Sequence, residues 1–297
     1  MQLKKCLVVL VVFENADSLS DLVAKIPQDC KLVIVHNDLA YRADFDVTTM
    51  GNRKVLNIYN GNRGMLAGAY NRVVFDEKIT DGYSHLMLLD QDSDTSRMES
   101  FIGEYFDNSD LQHHKTVCAP LYVDRGTMRK VRIVRFRRFG FQIVRLDHNS
   151  PRYIPASCII NSMAIIPIEV AKSIGGWDEV IGLDHIDTDF CLKALAHENF
   201  LIYDTKFSFL HSIGERKMAK IFGVAIQSTF HSDFRVGLIF ENSGVLFKRY
   251  FLSRYVLNFI PLLIVRMFYD LLGIIVVEKN SSKFLLSCKM LWKGIFR

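Results

Sequence analysis

No C-x-x-C pair, no Cys/His cluster at zinc spacing and no internal repeat occur in this chain. Its six cysteines, at positions 6, 30, 118, 158, 191 and 288, are scattered, which excludes a small zinc-built or disulfide-stapled module. With no secretory signal at the N-terminus either, reduced thiols and a cytosolic setting are expected. Low-complexity tracts are missing too, so 297 residues at 49% hydrophobic content are ample for one large core, or a core with an appendage. Neither a Walker loop nor G-x-G-x-x-G is present, so the two commonest glycine cradles for nucleotides are excluded. Nor is there an uninterrupted apolar run of the roughly 18–20 residues that a membrane span requires. The charge balance is modest, and a net +5 admits anionic partners without naming one.

What is present starts as an alternation of strands and helices. Leu7 to Phe13 is a β-branched run that reads as a central strand. Leu19, Leu22, Val23 and Ile26 follow at helical spacing, and Pro27 closes that helix. Lys31 to Val35 is a second strand leading into His36-Asn37-Asp38. Val55 to Tyr59 is a third, followed by the turn Asn60-Gly61-Asn62-Arg63-Gly64 and a helix from Met65 to about Glu77. The fourth strand, from His85 through Leu86, Met87, Leu88 and Leu89, ends on Asp90-Gln91-Asp92. Ser96 and Glu99 stand at capping-box spacing for a helix to about Phe106. This β-α-β-α order implies an α/β fold with a mostly parallel, Rossmann-like, nucleotide-binding sheet.

Two acidic clusters carry the chemistry. Asp90 and Asp92 sit at a strand's carboxyl end, where α/β sheets gather ligands, and residues two apart in a strand point the same way. Two hard oxygen donors suit a divalent cation carrying phosphate oxygens; a solvated Asx turn is the alternative. The turn at 60–64 permits close backbone approach, and the helix N-terminus after it offers N–H groups to an anion, or the turn is structural only. Ala156 to Pro167 reads as an apolar strand interrupted at Asn161-Ser162, Glu169 to Ile174 as a short helix, and Asn199 to Leu210 as a last strand delivering His211. Between them lies Asp184-His185-Ile186-Asp187-Thr188-Asp189, where Asp184 is suited to capping a helix. Three carboxylates in six residues exceed what one cap needs. The basic segment Arg125 to Arg138 interleaves cations with Val131, Ile133, Val134 and Phe136, as a hairpin with one basic face would. A nucleic-acid groove and a surface meeting lipid headgroups or a diphosphate both fit it, and a plain solvated loop is the alternative.

In chain order these pieces resemble the inverting family 2 glycosyltransferases of GT-A fold, most closely their rhamnosyltransferase-like branch. The matching residues are the Val-Val-Phe strand end at Phe13, Asn37, Asn60-Gly61-Asn62-Arg63-Gly64 with Ala67 and Asn71, and Leu89-Asp90-Gln91-Asp92-Ser93. Gly175-Gly176-Trp177-Asp178-Glu179, Asp184-His185-Ile186-Asp187-Thr188-Asp189-Phe190-Cys191-Leu192-Lys193 and His211-Ser212-Ile213-Gly214 complete the set. The resemblance implies nucleotide-sugar contacts from Phe13, Asn37, Asn62, Gly64 and Asp90, and a Mg²⁺ or Mn²⁺ site at Asp92 and His211. It further implies Asp187 as the base in a single inverting displacement, with Asp184 and Asp189 as neighbours. The chain departs from the family at His36-Asn37, where Asp-Asn is usual, at Ser162-Met163, where Ser-Gly is common, and at Glu241-Asn242, where Arg-Asn is common.

From Phe247 onward the composition turns aliphatic and aromatic with interspersed cations. Val256 to Val277 is the most apolar stretch, yet Asn258, Pro261, Arg266 and Asp270 interrupt it, so helices lying in a membrane interface are expected rather than a span. The expected organisation is a GT-A domain over 1–242 and an amphipathic helical region over 243–297, peripheral on the cytoplasmic face of the inner membrane. The resemblance implies transfer of a sugar, L-rhamnose from dTDP-rhamnose first, onto a lipid-linked saccharide in surface-polysaccharide or O-antigen assembly. Another donor such as UDP-galactofuranose, or a catalytically silent nucleotide-sugar-binding subunit, is the rival. A nucleic-acid partner is not expected, because it leaves both acidic clusters without a role.

Overall fold

The computed structural model describes residues 3–13, 19–39, 45–113, 115–137, 140–211, 217–221, 224–251, 253 and 258–297. Expectations placed on Ser212-Ile213-Gly214, Arg138 and Val256 lie outside the described residues. β1 (Cys6–Val12) has no charge over seven residues and all seven are buried, as a strand covered on both faces requires. α1 (Leu19–Lys25) and β2 (Lys31–His36) follow as expected. β3 (Phe45–Met50) is an addition: five of its six residues are exposed, and it pairs antiparallel with β4 (Arg53–Tyr59). Next come α2 (Met65–Val74), α3 (Glu77–Thr80) and β5 (His85–Asp90), whose Leu86, Met87, Leu88 and Leu89 are buried.

α4 (Met98–Asp107) begins one residue later than the Ser96/Glu99 box predicts, with Arg97 at the cap position. Asp94 is the reason, since its carboxylate accepts the Ser96 N–H at 3.1 Å and holds that residue in a turn. α5 (Ser109–His113) leads to β6 (Thr116–Asp124), and β7 (Ile133–Phe136) pairs with β8 (Phe141–Val144) as the basic hairpin. The expected strand over Ala156–Pro167 shrinks to β9 (Tyr153–Pro155) before it and β10 (Ile165–Pro167) at its end. Between them irregular backbone is tied by Cys191 Sγ, which accepts the Ile159 N–H, and by a single bridge of Ser162 to Leu88. α6 (Ile168–Ser173), α7 (Ile186–Ala196), β11 (Phe200–His211), β12 (Lys217–Ile221) and β13 (Val224–Ser228) precede the helices α8 (Asp233–Tyr250), α9 (Phe259–Gly273) and α10 (Ser281–Phe296). A π turn, Ile274–Glu278, extends α9.

Nine strands form one sheet in the order β3-β4-β2-β1-β5-β10-β6-β11-β9. β4, β2, β1 and β5 are parallel, whereas β10 runs antiparallel to both β5 and β6. From β1 the chain steps outward to β2 and β4, then returns to β5 on the other side of β1, so the order reverses between β1 and β5. That crevice, at the carboxyl ends of the strands, is where an open α/β sheet takes its ligand.

The chain divides into two compact units, Met1–Val123 with Leu146–His211, and Asp124–Arg145 with Ser212–Arg297. The first holds the sheet. In the second, the backbones of α8 and α10 touch: a Cβ at Gly294 would lie 1.9 Å from the Glu241 carbonyl oxygen, and one at Gly244 2.4 Å from that of Leu291. Position 242 lies inside α8, and the neighbouring Glu241 carboxylate, nearly buried, pairs with Lys293 at 3.0 Å and Arg297 at 3.2 Å. Phe259–Glu278 is 20 residues long with mean hydropathy 2.2, long and apolar enough to cross a membrane by length and composition.

One buried base at the amino end of β5 sets an acid limit on this fold. The His85 ring bonds Ser84 Oγ at 2.8 Å and the Tyr105 hydroxyl at 3.1 Å. Burial, aided by Lys5, lowers its pKa from 6.5 to about 4. The unfolded chain therefore takes up a proton near pH 6.5 that the fold refuses until about pH 4. Stability from this residue is intact above pH 6.5 and falls as pH drops to about 4, by about 3 kcal/mol at most. Urea midpoints measured across that window should fall steeply for the native chain and more gently for His85→Gln. Equal slopes would remove His85 from the account.

Candidate active site

The β1/β5 crevice is built from strand ends. The Phe13 N–H, one residue past β1, donates to Gln91 Oε1 at 3.1 Å and so ties the two ends together. Asp90 ends β5, and its own N–H donates to Ser93 Oγ at 2.9 Å. Ser93 Oγ lies 3.1 Å from Ser162 Oγ, and Ser162 hydrogen-bonds the Asp90 carboxylate. This closed loop of three side chains positions Asp90. Sequence reading missed it, noting Ser162 only as a break in a strand and beside a departure from the family pattern; the signal was a serine interrupting an apolar run.

Asp90, Asp92 and His211 meet, each offering one ligand atom, with those atoms all within 4.8 Å of one another. β11 brings His211 there from the far end of the chain segment, edge-on to Tyr122 and Phe209. Burial raises the Asp90 pKa, the His211 ring lowers it, Asp92 raises it and the Ser162 bond lowers it. Among the described residues the His211 Nδ1 is buried without a hydrogen-bond partner, which a purely packed histidine seldom tolerates. Two carboxylates and an imidazole are a donor set for a divalent cation of the Mg²⁺/Mn²⁺ class, and the orphaned nitrogen agrees with a ligand role. These residues fit the cation.

α7 supplies the second cluster. Its cap position is His185, in the left-handed region at φ 70, and its side chain makes no cap hydrogen bond. Asp184 therefore precedes the cap instead of forming it, a correction to the expected role. Asp187 and Asp189 both fall in the first turn and diverge in environment. Asp189 is fully buried against Lys193 at 3.4 Å, and Lys193 in turn donates to the Gly176 carbonyl at 2.6 Å. It fastens α7 to the Gly175-Gly176-Trp177 turn. Asp187 is only half-buried. After burial itself, the carboxylates of Asp90 and Asp187 both raise the pKa of the Tyr70 phenol, so α7 and β5 aim an acid each toward one buried tyrosine of α2. Trp177, stacked on Phe190 at 4.8 Å and edge-on to Tyr70 at 5.1 Å, backs this arrangement.

The asparagine turn is a structural knot beside the crevice. Asn60 Nδ2 donates to Asn37 Oδ1 at 2.7 Å and Asn37 Nδ2 to Asn62 Oδ1 at 3.2 Å. Left-handed backbone at Gly61, Asn62, Gly64 and Met65 starts α2. Glycine suits position 64 because its φ of 63 is left-handed, and a side chain there would also displace the Glu179 carboxylate. Two N–H groups of the first helical turn are already engaged, Met65 by Asn62 and Ala67 by Gly182. His36 bonds Asn57 Oδ1 at 3.0 Å and stacks on Tyr59 at 4.8 Å. A groove of about 750 Å³ lined by Asn60, Arg63, Arg72, Lys78 and Glu179 among others touches this knot but not Asp90, Asp92, Asp187 or His211. Its mixed charge and its distance from the acids leave the chemistry with the crevice.

No family model matches the chain. A dTDP-rhamnosyl transferase of Shigella flexneri, RfbF, is 25% identical over 242 residues, covering 80% of this chain and 74% of that one. Among solved structures, GalNAc-T7 with UDP, GalNAc and Mn²⁺ superimposes with a TM-score of 0.54 at 11% identity over 85% of this chain. The chain spans about half of that protein, 49% of its length, and the likeness establishes the fold. The large sheet with its parallel centre agrees with that likeness, and the chain is a glycosyltransferase with the GT-A fold whose sequence is similar to that of a dTDP-rhamnosyl transferase.

Proposed function

We propose that this chain transfers L-rhamnose from dTDP-rhamnose to a hydroxyl of a lipid-linked saccharide, with inversion, at the cytoplasmic face of a membrane. The observation that carries the reading is the convergence of Asp90, Asp92 and His211 at the β1/β5 crevice. The similarity to a protein named dTDP-rhamnosyl transferase supports the donor. Asp92 and His211 would hold the divalent cation, whose charge offsets that developing on the leaving diphosphate. Asp90, fixed by Ser93 and Ser162, orients the nucleotide side of that contact. Phe13, Asn37, Asn62 and Gly64 shape the nucleotide's bed. Asp187 accepts the acceptor's hydroxyl proton as the new C1–O bond forms and the bond from C1 to the diphosphate oxygen breaks.

The 1–242 segment would hold the catalytic unit and 243–297 the membrane contact, with surface-polysaccharide or O-antigen assembly as the setting. A donor panel tests the reading: purified protein with Mg²⁺ or Mn²⁺ and each nucleotide sugar, read by nucleoside diphosphate release with membrane-extract acceptor. dTDP-rhamnose should give the highest rate. A preference for UDP-galactofuranose would replace the donor and keep the reaction, whereas silence with every donor would favour a binding subunit.

A further inference from the structure

α10 carries an apolar stripe on its exposed side in addition to the side chains it packs inward. At 100° per residue Leu285, Trp292 and Phe296 fall within an arc of about 40°. All three are exposed, at 66%, 65% and 67%. On the opposite side Lys283, Ser287 and Gly294 are buried against the protein. That inner side mixes satisfied polar groups with apolar ones: Lys283 pairs with Glu278 at 2.6 Å and donates to the His231 carbonyl at 2.9 Å, Ser287 donates to the Lys283 carbonyl, and Phe284, Met290 and Leu291 pack against Val236, Phe240 and Ile274. With the packing needs of α10 met on that side, a folded chain in water gains nothing from also exposing Leu285, Trp292 and Phe296, so the outer face is shaped for an apolar medium.

Charge identifies the medium. Residues 243–297 contain nine Lys and Arg against two Asp and Glu, a net +7. The remaining 242 residues then carry 28 cations against 30 acids, a net −2, so all of the chain's positive excess is in this segment. Lys289 lies on the same outward arc of α10 as the three apolar side chains, and Lys293 and Arg297 flank it about half exposed. Tryptophan and phenylalanine beside lysine are the pattern of a helix lying in a bilayer's headgroup boundary.

We propose that α10 is an in-plane docking helix for an anionic bilayer, with Leu285, Trp292 and Phe296 inserted below the headgroups and Lys289 paired to lipid phosphates. This deepens the membrane contact of the proposed function and rests on that reading only for its purpose. Vesicle binding needs no donor sugar, so its failure and the failure of the transferase reading are separate results.

The full chain is mixed with vesicles of phosphatidylethanolamine and phosphatidylglycerol, or of phosphatidylcholine alone, and bound protein is measured by flotation. Binding should favour the anionic vesicles and fall at least about 10-fold in the variant carrying Leu285→Ser, Trp292→Ser and Phe296→Ser, each residue being worth a few-fold by its apolar area. Lys289→Glu should lower the preference for anionic lipid while leaving the fold intact. Trp177 is already buried, so a blue shift on vesicle addition, with quenching by brominated acyl chains, reports Trp292. Undiminished flotation of the triple variant would overturn the proposal, as would an absent shift. So would a lipid-free dimer that buries Trp292, since a second copy would then be the occupant.

Discussion

Transfer should fall by at least about 10³-fold when Asp92 becomes Ala, the scale of several kcal/mol of lost charge stabilisation. EDTA on the native chain should do the same, and excess Mg²⁺ or Mn²⁺ should restore it. Asp92 is exposed at the tip of the crevice, so its removal should leave thermal stability within about 0.5 kcal/mol of the native chain. Asp90→Ala should be as damaging to transfer but less clean. Its carboxylate also closes the loop with Ser93 and Ser162, so melting should drop as well. The pair separates the cation from the scaffold: a loss in both variants with stability lost only at Asp90. Full activity in chelator would end the cation's role and leave the three-residue cluster without one.

The crevice was legible because its parts obey short-range rules. A charge-free run ending in Asp-x-Asp suits a central strand meeting its ligand end, with a solvated turn as the alternative, and β5 is such a strand. His211 was legible as the last residue of a long strand. What stayed hidden depends on neighbours distant in sequence. β3 has no buried face, so no hydrophobic alternation announces it; Thr48, which accepts from Asn57, and the hairpin with β4 hold it in place. The Ala156–Pro167 run looks like one strand because it is mostly apolar, with Asn161-Ser162 its main interruption. In the fold it is buried as irregular chain, bent so that Ser162 reaches Asp90. The capping motifs misled for a related reason, since Asp94 competes for the Ser96 N–H and a left-handed His185 takes the cap position from Asp184. In α10 the composition showed apolar and basic residues, but which face looks outward is settled only by its glycine contact with α8.

Asp187→Asn should bind nucleotide sugar and metal as the native chain does, and turn over at least about 10²-fold more slowly, the lower end of what a positioned base contributes. The geometry separates it from both neighbours. Asp189 is about 200° around α7 from Asp187 at 100° per residue, and its fully buried carboxylate is engaged with Lys193. Asp189→Asn should therefore act on stability, by about 1–2 kcal/mol for a weakened buried pair, with turnover per folded molecule little changed. Asp184 lies before the helix and does not cap it, so Asp184→Asn should be milder than either. Asp187 is half-buried, and its charge, like that of Asp90, raises the pKa of the buried Tyr70, so the two carboxylates act on one region. Donor affinity by calorimetry, turnover by nucleoside diphosphate release and melting midpoints distinguish the three variants. Should Asp187→Asn keep near-normal turnover while Asp184→Asn or Asp189→Asn loses it at unchanged stability, the proton goes to that neighbour and α7 presents its other face to the acceptor.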